Sequence, residues 1–531
     1  MAIKIDSTVN GSSITLTLTG DLSALETKDF DAAFADAVKG MKEALLDFSQ
    51  VEYISSAGLR SLFLAKKLMT KQGGDLKILY PSKEVMEVFK ATRYDNIVTI
   101  IQREEEANAK PIFYPLRPVQ RMMVDTHFQK AESTMMNVGA LVRLDDSIDL
   151  ERLAKALNAV LSSYDIFRTR LVFNPETGDI CQRFDGEIPK VYVETLSDEA
   201  FEQRKQELKQ PYELIDHRLY RAYIIKTATA KYLYFDVYHA ILDGVAIIML
   251  FLRELDKYYV RGVEGQNKRQ PLSYADYILE ESKLTDEELA EGRSYWRNIL
   301  AKFDKSKHLP PIDGGNPADG VEHELETPFT NIDKSFFKGK SFNENTFFIA
   351  ATMLSIASLT GASDSVMTWV HNGRVTSAER RLMGLMLDQL PISWDFSKDI
   401  SVVEFLVGLE AKIAEGLKYR KSLDVVYDEG LEDKCACFIL QKGAIGRRGA
   451  MKFADTQAII EELPANEIAV AENIIDIEFN AHDDDTFALV LNYDIKYFSR
   501  DSMKRFTQKV IDIVNDLKVD TKMISELLNN K

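Results

Sequence analysis

The chain has 531 residues, too many for one core, and that length points to two to four domains. Hydrophobic residues make up 45% and charged residues 28%, the balance of an ordinary globular protein. A net charge of −17 excludes the basic surface that nucleic acids require and disfavours docking on anionic lipid.

The opening Met1-Ala2-Ile3-Lys4-Ile5-Asp6 holds no apolar run of signal-peptide type. The longest apolar stretch, Val245 to Leu252, is far shorter than the roughly 20 residues of a membrane-spanning helix. Three cysteines, Cys181, Cys435 and Cys437, suit a reducing compartment better than a disulfide scaffold. The expectation is a cytoplasmic protein.

In chain order, Ile14, Leu16 and Leu18 alternate along a strand that ends at Gly20. A helix is predicted over 30–38 and a short buried strand over 44–48. The segment 58–70 reads as an amphipathic helix with Leu59, Leu62, Phe63 and Met69 as its apolar set. Gly73-Gly74 ends that helix, and 76–80 is another strand. This spacing predicts a small α/β domain over 1–104. The charged stretch 102–110 lacks large apolar residues and reads as a boundary. Beyond it, helices are predicted over 150–162, 245–259, 284–300 and 502–517, with strands over 220–225 and 232–239. No internal repeat interrupts them.

Two places carry candidate chemistry. In the first, Asp47-Phe48-Ser49-Gln50-Val51 leads through Ser55-Ser56-Ala57-Gly58 into a helix. Ser55 or Ser56 sits where an N-cap belongs, its hydroxyl accepting a first-turn N–H. A helix N-terminus also tolerates an added phosphate electrostatically. Residues 1–100 resemble a STAS domain, the fold of bacterial anti-sigma-factor antagonists. The likeness rests on the Gly20-Asp21-Leu22 turn, 47–51, Ser55-Ser56-Ala57-Gly58-Leu59 and Gly73-Gly74-Asp75-Leu76-Lys77. It implies phosphorylation of Ser56 by a partner kinase of the anti-sigma-factor type. Ser55 departs from the aspartate common in phosphorylated members.

The second place is Lys231-Tyr232-Leu233-Tyr234-Phe235-Asp236-Val237-Tyr238-His239, followed by Ala240-Ile241-Leu242-Asp243-Gly244. Alternation sets Leu233, Phe235, Val237 and His239 on one apolar face, with Asp236 and Tyr238 on the other. A histidine closing a strand in a partly dry site can stay neutral and accept a proton, or it can be structural. Asp243 alone is explained as the N-cap of the next helix.

Those residues fit the His-x-x-x-Asp-Gly motif of the condensation-domain superfamily, whose fold chloramphenicol acetyltransferase shares. Other segments resemble the family's motifs in order: Tyr114-Pro115-Leu116-Arg117-Pro118-Val119-Gln120, then Phe167-Arg168-Thr169-Arg170. Gln210-Pro211-Tyr212, Ser273-Tyr274-Ala275-Asp276-Tyr277 and Asn372-Gly373-Arg374 with Glu379 and Gly384 follow, and Leu491-Asn492-Tyr493-Asp494 closes the set. The resemblance implies an α/β fold of two chloramphenicol-acetyltransferase-like lobes, 111–275 and 285–531, with a tunnel between them. It implies His239 as the base for an amine or hydroxyl attacking an acyl thioester, and the Gly244 N–H as oxyanion donor. Asp243 and Arg374 become a buried structural ion pair. The resemblance also implies a phosphopantetheine thioester donor, on a carrier protein or coenzyme A, supplied in trans, with no tightly bound cofactor.

Peptide-forming members usually carry two adjacent histidines, and Tyr238 stands in place of the first. A second expectation therefore stays open, a non-catalytic regulator in which this fold senses a ligand or partner and the STAS domain signals to a kinase. Cys435-Ala436-Cys437 reads as two strand cysteines, not a metal site. Gly443 to Gly449 is a basic surface loop that could meet the phosphates of a pantetheine donor. His127 and His371 read as structural.

Overall fold

Strand alternation and helix caps in the first hundred residues close a small sheet before the chain moves on. In a computed structural model the chain divides into two units, 1–111 and 112–531. The structure describes residues 3–101, 111–262, 272–302, 307–313, 322–329, 332–428, 434–442, 450–461, 463, 473–482 and 486–529. The expected boundary at 102–110 and the basic loop at 443–449 lie outside these residues.

The first unit is a five-stranded sheet in chain order. β1 (Lys4–Asn10) is antiparallel to β2 (Ser13–Thr19), and β3 (Glu43–Gln50), β4 (Asp75–Leu79) and β5 (Thr99–Ile101) follow in parallel. Ile14, Leu16 and Leu18 are buried as the alternation requires. The helix Ser56–Lys71 turns Leu62, Ala65 and Met69 onto the sheet, spaced as one helical stripe. Phe63, expected in that stripe, is 48% exposed. It sits about 100° round the helix from Leu62, outside the arc the sheet can cover. Ser55 is the cap: its Oγ accepts from the Gly58 N–H at 3.1 Å and donates to the Leu22 carbonyl at 3.3 Å. Ser56 is the first helical residue and is exposed.

The second unit is built on two six-stranded sheets. One contains β6 (Asn137–Leu144), β9 (Val193–Thr195), β10 (Tyr220–Lys226) and β11 (Lys231–Tyr238); β7 (Arg170–Phe173) and β8 (Ile180–Arg183) form a separate pair. The other contains β12 (Glu322–Phe329), β13 (Asp364–His371), β14 (Asp388–Asp395), β15 (Cys437–Lys442), β18 (Ile475–Ala481) and β19 (Phe487–Asp494). β16 (Ala450–Phe453) and β17 (Thr456–Glu461), expected within the second lobe, instead extend the first sheet, with β17 antiparallel to β6. The second lobe thus covers an edge the first would leave open.

β11 lies between β6 and β10 and is buried on both faces. The face expected to point away packs Tyr232 and Tyr234 against Phe201 and Leu208. Asp236, on the same side, accepts from Arg221, Tyr212 and Asn137 at 3.0–3.1 Å. After Gly244 the chain enters a π-helical turn, Ala246–Phe251, before the α-helix Leu252–Arg261, where one uninterrupted α-helix was expected. No described helix is long and apolar enough to cross a membrane.

The different work of the two serines is measurable. Ser55→Ala should lower the stability of the first unit by about 1 kcal/mol, the usual cost of a lost cap. Ser56→Ala should stay within about 0.5 kcal/mol in the same denaturant melts.

Candidate active site

His239 follows the last residue of β11, and its backbone N–H donates to the Met136 carbonyl at 2.8 Å, prolonging the strand by one bond. Its ring is half-buried. Nδ1 lies 3.0 Å from the Leu242 carbonyl oxygen. A carbonyl only accepts, so Nδ1 carries the proton of the neutral ring and Nε2 keeps its lone pair. The tight turn that makes this contact, with Ile241 N–H donating to the Tyr238 carbonyl at 3.0 Å, is local to the motif.

Asp243 divides its two oxygens between the readings its sequence allowed. Oδ1 accepts from the Ala246 N–H at 2.8 Å, capping the following turn. Oδ2 accepts from Arg374 Nη1 and from the Met386 N–H, each at 2.8 Å. Both side chains of the pair are buried, Asp243 at 2% exposure and Arg374 at 6%. Arg374 Nη1 also donates to the Asn372 carbonyl at 3.1 Å, and Nη2 to that of Gly384 at 3.0 Å. Gly373 makes this approach possible. Its φ is +67°, and a Cβ there would lie 1.6 Å from the Met386 carbonyl oxygen. Gly244 is half-buried at the start of the turn that Asp243 caps.

Tyr238 is buried and turned from this centre. Its hydroxyl donates to the Met123 carbonyl at 2.9 Å, and its ring packs edge-on against His127 at 5.6 Å. His127 therefore serves packing. His371 accepts the Gly373 N–H on Nδ1 at 3.0 Å. Burial, with the Arg420 charge nearby, pushes its pKa down to about 4, so it is neutral where enzymes work. Cys435 and Cys437 are buried and not joined in a disulfide. Among the described residues no cluster of His, Cys, Asp or Glu is placed to hold a metal.

A second set of buried charges, absent from the sequence reading, ties the lobes beside this centre. Arg117 donates to Glu281 at 2.8 Å, to Asp388 at 3.0 Å and to the Leu385 carbonyl at 3.1 Å. Burial works against the Glu281 carboxylate, yet Arg117 and Lys421 hold its pKa at about 2. Asp388 goes the other way, raised by burial despite Arg117. Arg420 pairs with Glu379. Arg117 in the opening motif and Glu379 beside Arg374 hinted at this cluster, but their pairing did not show, because the partners of Arg117 are more than 160 residues away.

Removing one member of the Asp243–Arg374 pair strands a buried charge. Asp243→Asn and Arg374→Met should each cost about 3–5 kcal/mol. The double variant should cost clearly less than their sum in denaturant unfolding of the second unit.

The condensation-domain family model matches residues 111–526, and the STAS-domain model matches residues 4–107. Tyrocidine synthase 3 of Brevibacillus parabrevis is 24% identical over 310 residues, spanning 55% of this chain and 5% of that protein. Bacitracin synthase 3 of Bacillus licheniformis is 22% identical over 484 residues, 86% of this chain and 7% of that protein. The chain thus corresponds to a small part of the length of these relatives. Among solved structures, the condensation domain from Monacolin K polyketide synthase MokA superposes with a TM-score of 0.62 at 19% identity, covering 78% of this chain and 99% of that one. The X-domain from teicoplanin biosynthesis gives 0.63 at 18% identity, covering 78% and 97%. At such identities the likeness establishes the fold, a mixed α/β architecture, while the family match covers most of the chain. With its His-x-x-x-Asp-Gly turn tied to Arg374, this chain belongs to the condensation-domain family and carries a STAS domain ahead of it.

Proposed function

We propose that residues 111–531 transfer an acyl group from a pantetheine thioester, on a carrier protein or coenzyme A, to an amine or hydroxyl. The observation that carries this reading is the His239 ring, half-exposed, with Nδ1 tied to the Leu242 carbonyl and Nε2 left as the proton acceptor. Nε2 takes the proton of the acceptor as its nitrogen or oxygen attacks the thioester carbonyl. The carbonyl oxygen becomes an oxyanion, and the Gly244 N–H is the donor proposed to stabilise it. Collapse breaks the C–S bond, and the leaving thiolate takes the proton back from the imidazolium. The products are an amide or ester and a free thiol. Asp243 and Arg374 hold the loop and touch no reacting atom. A starter condensation domain of rhizomide synthetase RzmA that shares the fold was solved in complex with C8-CoA, which supports a coenzyme A donor as one candidate.

Partner recruitment without turnover is the competing reading. It draws on a solved neighbour that is a complex of the X-domain and OxyB from teicoplanin biosynthesis, and on a Tyr238 locked into packing. The STAS domain serves regulation or recruitment in either case. Ser56 supports phosphorylation by a kinase of the anti-sigma-factor type: it is exposed at a helix N-terminus, while Ser55 does the capping.

One measurement decides between these readings, and a second tests the switch. With a panel of acyl-coenzyme A and acyl-carrier donors, His239→Ala should lower kcat at least 100-fold, on the order of a lost general base. Absence of turnover in the wild type, or an unaffected variant, refutes catalysis. Mass spectrometry of the protein from its native cells should find phosphate on Ser56 and none on Ser55; an unmodified Ser56 in every growth condition removes the switch.

A further inference from the structure

Behind the His239 turn lies the helix Pro118–Gln129, which meets that turn at two points. One is the Met123 carbonyl, which accepts the Tyr238 hydroxyl. The other is Gln120, fully buried, whose Nε2 donates at 2.7 Å to the carbonyl of Ala240, the residue after the histidine. We infer that Gln120 is a positioning residue for His239, fixing the Ala240–Ile241 peptide of its turn so that Nε2 keeps one direction. This rests on the acyl-transfer reading for its consequence, though not for its geometry.

The direction of the Gln120 amide is set by its partners. Oε1 accepts the Arg117 N–H at 2.9 Å, as the cap of its own helix, so that oxygen cannot face Ala240. Gln182, also fully buried, pairs with it reciprocally: each Nε2 reaches the other Oε1, at 3.3 and 3.2 Å. The second Gln182 proton goes to the Pro115 carbonyl at 2.9 Å. Every donor and acceptor of the Gln120 amide is therefore used, and a saturated network has one arrangement. Without it the Ala240 carbonyl is a buried acceptor with no donor. The peptide plane can then turn, loosening the Nδ1 contact of the ring beside it.

The full-length protein, labelled with 15N-histidine, tests this. Gln120→Met keeps the side-chain length and removes the donor. It should lower kcat on the order of 100-fold with KM within about twofold, as misplacement of a catalytic group does. The 15N spectrum should show His239 as the single Nδ1–H tautomer in the wild type and as a mixture in Gln120→Met. Asn158→Leu is the control, because Asn158 is an amide bonded to the Ala154 and Val191 backbone away from the histidine. It should lower the melting temperature while leaving kcat and the tautomer unchanged. Should Gln120→Met fail to fold, Gln120→Glu keeps the cap of Arg117. Its buried carboxyl donates to Ala240 only while protonated, so kcat should gain a descending limb as pH rises. A kcat within twofold of wild type in the folded Met variant, or an unchanged tautomer, overturns the assignment; so does a wild-type pH profile in Gln120→Glu. If the wild type turns over no donor, the acyl-transfer reading fails, and the tautomer alone decides the role of Gln120.

Discussion

Asp243 holds the second unit together at the point where its chemistry would occur. One carboxylate caps the turn after the histidine loop, binds the Met386 backbone and neutralises Arg374. A buried carboxylate in so dry a place is stable only if a cation and well-aimed donors replace its water. The consequence is mechanical: the segment carrying His239 cannot shift without breaking contacts to the Asn372–Arg374 turn and to the chain before β14. Gly373 and Gly384 follow from the same constraint. A Cβ at the first would strike the Met386 carbonyl, and one at the second would strike the Tyr274 ring.

The charges around Arg117 extend that tie. Arg117 sits at the cap of the helix whose Gln120 and Met123 back the histidine turn, and its guanidinium reaches Asp388 in β14. The same few residues therefore link three things, namely the lobe junction, the backing helix and the His239 loop. The opposed pKa shifts of Glu281 and Asp388 reflect how unevenly burial and cations are shared there. The crossing of β16 and β17 into the first sheet adds a backbone connection between lobes already joined by ion pairs.

In the STAS unit the two adjacent serines separate a structural task from an available one. The capping hydroxyl belongs to Ser55, already engaged with Gly58 and Leu22. The exposed hydroxyl belongs to Ser56. A phosphate added at Ser56 would meet the positive end of a helix whose cap it does not disturb.

The local layers were legible in the residues themselves. Alternation placed Ile14, Leu16 and Leu18 inward, and helical spacing located the helices near 58–70, 150–162, 284–300 and 502–517 to within a few residues, whereas Glu344–Thr360 and Val402–Lys418 were not predicted. The His239–Gly244 spacing marked the loop, and Arg374 was named as the partner of Asp243 through family likeness. What those signals share is short range, since period and capping depend on neighbours along the chain. Phe63 shows the limit even there, because a helix face is buried only as far as the opposing sheet reaches. The tertiary structure alone decided that Asp243 caps and pairs at once, that Tyr238 is held by Met123, and that β16 and β17 join the other lobe. It alone brought Gln120 to Ala240, 120 positions on, and Arg117 to Asp388, 271 positions on. Such contacts leave no periodic trace, because a buried polar atom needs one aimed partner and the chain can supply it from any distance.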